Sequence, residues 1–144
     1  MVERERRETE AWTPNRIVAL VIGIVFTLIG LAGFLVAPGM ARGNLLGFDV
    51  DLVHNLVHLI TGLLGLAAAY TGWARRYNQI FGIIYLIIGL AGLVYPGLYF
   101  NGRLLGLMHV NALGHVLHLV VGIIATAVGF SRADYSVRST GPVR

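Results

Sequence analysis

Asp51 to Ala67, DLVHNLVHLITGLLGLA, decides the fold, because the chain carries it a second time, altered, as Asn111 to Ala127, NALGHVLHLVVGIIATA. At an offset of sixty positions Asp51 aligns with Asn111, Asn55 with His115, His58 with His118 and Gly62 with Gly122. Their spacing of four, three and four in both copies puts them on one face of a helix turning every 3.6 residues or so. Each copy therefore reads as an apolar helix with a polar, histidine-bearing stripe.

The likeness extends outward from these two helices. The preceding apolar runs carry Gly23, Gly30, Gly33 and Gly82, Gly89, Gly92, spaced seven and three in both cases. They end at Pro38-Gly39 and Pro96-Gly97, and the loops that follow contain LLGFDVD and LLGLMHVN. Small residues on one face let helices approach closely in lipid, so these glycines are expected to be packing positions. The repeating unit is thus a pair of helices, roughly 16–73 and 75–130. A unit with two membrane crossings recurs in the same orientation, which predicts a tandem parallel repeat about an axis along the membrane normal.

The membrane reading follows from the apolar runs. Hydrophobic residues make up 56% of the 144 and charged residues 12%, far from the mix of a soluble globule. Ile17 to Ala37 and Ile80 to Leu98 contain no charged side chain, and about 20 residues of helix cross a hydrocarbon core. The expected fold class is all-α, a four-helix integral membrane bundle with spans at about 16–36, 52–73, 77–95 and 110–130. Residues 1–15 form a charged tail, expected to be retained and not to be a signal peptide, since no cleavage site follows its charged start. Residues 131–144 form a polar tail.

All eleven basic residues are arginine, and nine of them fall before span one, between spans two and three, or after span four. Only Arg42 and Arg103 occupy the other two loops. The positive-inside rule then puts both termini in the cytoplasm and the polar stripe near the outer surface of a bacterial cytoplasmic (inner) membrane. Trp12, Tyr70, Trp73 and Tyr77 on one side, and Tyr95, Tyr99 and Phe100 on the other, supply the aromatic belts. No basic helix face or basic patch interleaved with aromatics points to nucleic acid.

Asp49, Asp51, His54, Asn55, His58, His109, Asn111, His115 and His118 gather toward the outer leaflet. Below them the polar groups are few, Thr27, Thr61, Tyr85 and Thr126, which argues against an ion path through one chain. Three readings of the cluster stand. In the first, Asn55, His58, His115 and His118 hydrogen-bond across the bundle and set helix register. In the second, His58 and His118 are axial ligands of a haem or chlorin between spans two and four, with Asn55 and His115 beside them and Gly62 and Gly122 leaving room for the macrocycle. In the third, a metal ion is held by His54, His58, His115 and His118, completed by Asp51. His109, in a loop, is expected to be solvated or interfacial. The chain has no cysteine, no GxSxG turn and no HExxH pattern, so thiolate chemistry, acyl transfer and zinc-dependent hydrolysis find no support.

The outer-loop LLG, the stretch HNLVHLITGLLGL and its relative HVLHLVVG resemble the bacterial membrane proteins grouped as domain of unknown function 4383, over about Arg16 to Phe130. The Asn55, His58, Leu59, Gly62 core carries the resemblance, and His115 departs from it where the first copy has Asn55. The resemblance implies a four-helix membrane protein and no activity. The reading that follows is a small non-enzymatic membrane subunit, accessory or structural in a larger complex or homo-oligomer, surrounded by membrane lipid. A tetrapyrrole-binding electron-transfer or pigment protein and an oligomeric small transporter stand as alternatives.

Overall fold

Thr13 and Pro14 begin the first helix as their chemistry requires. The Thr13 hydroxyl accepts from the Arg16 N–H at 3.3 Å, and Pro14 takes the first helical position, where no N–H is needed. In a computed structural model, which describes residues 12–131, four helices follow: α1 Pro14–Val36, α2 Leu52–Tyr70, α3 Ala74–Val94 and α4 Ala112–Phe130. All four are long and apolar enough to cross a bilayer, which makes this a multi-pass membrane chain. The charged tail, apart from its last residues, and the polar tail after Ser131 lie outside the described residues.

The second span ends three residues earlier than expected from the sequence, at Tyr70. Thr71 donates its hydroxyl to the Ala67 carbonyl at 2.8 Å, and Gly72 adopts a left-handed φ of 74° that releases the chain into α3. Arg75 and Arg76 consequently fall inside the first turn of α3.

The two long loops are not irregular. Between α1 and α2, β1 (Gly43–Leu45) and β2 (Phe48–Val50) pair antiparallel around Leu46-Gly47. Between α3 and α4, a 3-10 turn (Pro96–Leu98) leads to β3 (Tyr99–Phe100) and β4 (Arg103–Leu104), paired around Asn101-Gly102. Both residues of each two-residue loop have positive φ, the conformation that lets a tight turn match the twist of its strands. The Asn-Gly pair is a recognised hairpin signal in the sequence; Leu-Gly is not, because leucine resists that backbone.

Helix packing is decided at the glycines. A Cβ on Gly30 would lie 2.8 Å from the Leu59 backbone nitrogen, and one on Gly89 would lie 2.6 Å from that of Leu119. Gly33 faces the Asn55 amide and Gly92 faces the His115 ring with no room between. The consequence is that α1 packs closely on α2, and α3 on α4, while α1 and α3 meet in the middle. Helices α2 and α4, expected to face one another directly, make little backbone contact. Each is held by its own partner, so only long side chains bridge the space between them.

At the end that carries the termini, the buried Asn78 donates to Asn15 Oδ1 at 2.8 Å, and Asn15 donates to the Val128 carbonyl at 3.2 Å. Arg16 and Arg75 reach the last carbonyls of α2 and α4, at Ala69 and Gly129, groups that a helix cannot satisfy internally. Trp12 meets Tyr70 edge-on at 5.8 Å and lies under the Arg16 guanidinium, a cluster suited to the headgroup region.

Overpacking a well-filled interface costs roughly 1–3 kcal/mol. Gly30→Val and Gly89→Val are therefore expected to lower the unfolding midpoint in a denaturing-detergent titration, whereas Gly39→Ala, with nothing near its Cβ, leaves it unchanged.

Candidate functional site

The site lies at the hairpin end, in the space that the packing of α2 and α4 leaves open. It begins with Asp51, which sits just before α2 with extended backbone angles and is fully buried. Its Oδ1 accepts from the His54 N–H at 3.0 Å, and its Oδ2 accepts from the N–H and from Nδ1 of His109, both at 2.8 Å. Asp51 is thus a helix cap and the anchor of the second loop. Both its oxygens are taken up by these bonds, and it is not grouped with the ring nitrogens of His54, His58 and His118. His109 is correspondingly half-buried and tied to Asp51, not a solvated loop residue. A carboxylate followed by an apolar run is a cap signal readable in sequence; its partner, 58 residues on, is not.

Next to it, His54 Nδ1 lies 3.0 Å from the Asp49 carbonyl and 2.9 Å from the His109 carbonyl. Carbonyls only accept, so Nδ1 carries the proton and Nε2 holds the free lone pair. The His54 ring contacts His58 at 4.4 Å between centroids and His118 at 5.9 Å, and His58 and His118 are 5.8 Å apart. One ring nitrogen from each of the three lies within 4.8 Å of the others. Phe26 of α1 stacks on His58 at 4.9 Å, and Tyr85 of α3 meets His118 edge-on at 5.1 Å. Neither Phe26 nor the role of Tyr85 was legible in sequence, because each comes from a helix outside the histidine repeats.

His115 is brought near His118 but faces elsewhere. Its Nε2 hydrogen-bonds the Tyr99 hydroxyl, which in turn donates to the Val110 carbonyl at 2.8 Å. Burial, and then the Asp49 carboxylate, push the Tyr99 phenol above its usual pKa, so it remains a protonated donor. The aligned Asn55 does a different job, donating to the Ala37 carbonyl at 2.9 Å and closing the end of α1. Of the five residues expected around a metal, the structure therefore gathers His54, His58 and His118 and turns His115 and Asp51 to the scaffold.

A cavity of about 90 Å³ opens beside the three histidines, walled by Ile29 of α1, Leu45, Phe48 and Val50 of the first hairpin, and Leu117 of α4. That is the space of about three waters, well below the several hundred Å³ of a pocket for a large organic cofactor. The room expected beside Gly62 and Gly122 is filled: a Cβ on Gly62 would run into Thr27, and one on Gly122 would come within 2.9 Å of Leu86 Cα. The residues present do not fit a haem or chlorin between His58 and His118.

Residues 16–131 match the family described as domain of unknown function (DUF4383). No curated protein and no solved structure matches the chain.

Removing one partner from a buried polar set leaves the others unsatisfied, at about 1–3 kcal/mol each. Asp51→Ala is expected to destabilise the protein by more than His109→Asn. A double-mutant cycle on the two should show coupling of roughly 1 kcal/mol or more; independent effects would mean that the pair does not hold the second loop.

Proposed function

Starting from the premise that this chain belongs to the DUF4383 family, whose description names no activity, we propose that it is a non-enzymatic membrane protein that holds a small ligand among His54, His58 and His118. The observation that carries this reading is a cluster of buried ring nitrogens without a hydrogen-bond partner among the described residues, His54 Nε2, both nitrogens of His58 and His118 Nδ1, on three rings that converge; His115 Nδ1, on a ring tied to Tyr99, is also without one. Unpaired polar atoms in a membrane interior are costly, and native proteins leave few of them. A centre that only set helix register would pair these atoms with each other. The wall of the cavity other than the histidines is apolar, and the nearby Tyr85 and Asp51 are taken up by Thr61 and by His54 and His109, which supports a non-enzymatic reading.

In the same reading the two helix pairs are copies of one hairpin, supported by the matching contacts of Gly30 on Leu59 and Gly89 on Leu119. The arginine distribution supports, in this reading, cytoplasmic ends of the chain and a histidine centre in the outward half of a bacterial inner membrane. The protein then serves a larger membrane assembly as a ligand-bearing subunit. Transport through one chain is disfavoured, because below the histidines the hydroxyls of Tyr85 and Tyr77 are spent on the Thr61 hydroxyl and carbonyl, and among the described residues no charged side chain lies between the histidines and the arginines at the terminal end.

Two measurements test this. With no native cysteine, single substitutions Ala41→Cys and Thr71→Cys are expected to label with an impermeant thiol reagent from outside and only after permeabilisation, respectively; the reverse pattern overturns the orientation. Protein purified gently from native membranes is expected to carry one ligand per chain, detectable by elemental analysis and mass spectrometry, and to lose it in His118→Leu. Material with nothing bound, whose His58→Leu and His118→Leu variants are as stable as the parent, would reduce the centre to packing. A monomer with no co-purifying protein would overturn the assembly.

A further inference from the structure

We propose that His54, His58 and His118 form a three-coordinate copper(I) site, an assignment that rests on the ligand-holding reading above and names its ligand. The three residues are 2%, 4% and 4% exposed, and a nitrogen from each lies within 4.8 Å of the others. Bonds of about 2.0 Å to one ion would set the nitrogens roughly 3.5 Å apart. Closing the remaining gap of about an ångström requires only small rotations of the rings about their side-chain torsions.

The tautomer of His54 is already set for this role. Hydrogen bonds from Nδ1 to the Asp49 and His109 carbonyls leave Nε2 as the ligating atom and fix the ring plane, as the outer partners of metal-bound histidines do. His58 has both nitrogens unpaired and His118 has Nδ1 unpaired among the described residues, so each of the three rings has a nitrogen that an ion could take without breaking a hydrogen bond. Asp51, read from sequence as a ligand, and His109, read as a solvated or interfacial loop residue, become the supports that position His54.

The charge and coordination number of the ion follow from what surrounds it. Ligating imidazoles are neutral, and the nearest carboxylate, Asp51, is taken up by three hydrogen bonds. That one buried carboxylate offsets at most a single positive charge, so a divalent ion would keep an uncompensated charge in an apolar setting, and the cost of desolvating a charge grows with its square. A monovalent ion is favoured over a divalent one on that ground. Zinc would also demand a fourth ligand, commonly water, and Ile29, Leu45, Phe48, Val50 and Leu117 offer that water no partner. Imidazole is a ligand that suits copper, and copper(I), with its filled d shell and single charge, accepts three nitrogens without a fourth ligand.

The test uses the full chain in lipid nanodiscs, stripped with chelator and titrated anaerobically with copper(I) held by the chromophoric competitor bicinchoninate, and separately with zinc(II). One copper(I) per chain is expected, with X-ray absorption showing three nitrogens at about 2.0 Å and no sulfur. His118→Leu and the milder His118→Asn, both checked for helix content, should weaken binding by about 100-fold or more. His115→Asn, which restores the residue of the first copy at Asn55, should leave it unchanged. Zinc bound in preference to copper(I), or copper bound equally by both His118 variants, overturns the assignment. A folded protein that binds neither ion but retains some other small molecule overturns the metal and keeps the ligand-holding reading. A protein that binds nothing overturns both.

Discussion

Backbone contact at the glycines is the constraint on which the rest of the structure depends. Between helices in lipid, burying apolar side chains gives no net drive, since the tails are equally apolar, and association comes from close packing and hydrogen bonds. Gly30 on Leu59 and Gly89 on Leu119 bring α1 onto α2 and α3 onto α4 at distances no larger residue permits. Once each pair is closed, α2 and α4 stand apart with α1 and α3 between them. The gap is spanned by imidazoles, and a histidine centre results from how the other helices pack.

A membrane interior also demands that polar atoms find partners, and most here do. Asn55 and Asn78 serve a helix end and another asparagine, Tyr77 and Tyr85 share Thr61, and Asp51 takes three donors. Thr27, Thr126, His115 and one oxygen each of Asn55 and Asn78 also hold unpaired buried atoms among the described residues, and what sets His54, His58 and His118 apart is that a nitrogen from each lies within 4.8 Å of the others. They are gathered in one place, backed by Phe26 and Tyr85, and open on a small apolar cavity. Hydrogen-bonded polar groups set the frame, and the proposed ligand would sit where the three imidazoles converge.

Asn55 and His115 show how aligned positions diverge in use. Both press on a glycine of the preceding helix, Gly33 or Gly92, so their location was legible from the spacing. Their partners were not. The shorter amide reaches the Ala37 carbonyl at the end of α1, whereas the imidazole reaches past it to Tyr99 in the hairpin. A similar limit applies to the loops. Asn101-Gly102 carried a hairpin signal, but Leu46-Gly47 did not, and it is the hairpin around Leu46-Gly47 that walls the cavity.

By itself the sequence determined the four apolar helices, the start of the first at Thr13 and Pro14, the close-packing glycines and the histidines set inside an apolar face. These are properties of composition and of local spacing, and a helix expresses them without knowing its neighbours. Only the tertiary structure decided which histidines meet. His54, His58 and His118 converge while His115 and Asp51 turn to the scaffold, and the space left beside them is too small for a macrocycle. Helix period records which side a residue faces, but the separation of two helices is set by the partners each packs against. Those contacts, made across tens of residues, leave no local mark in the chain.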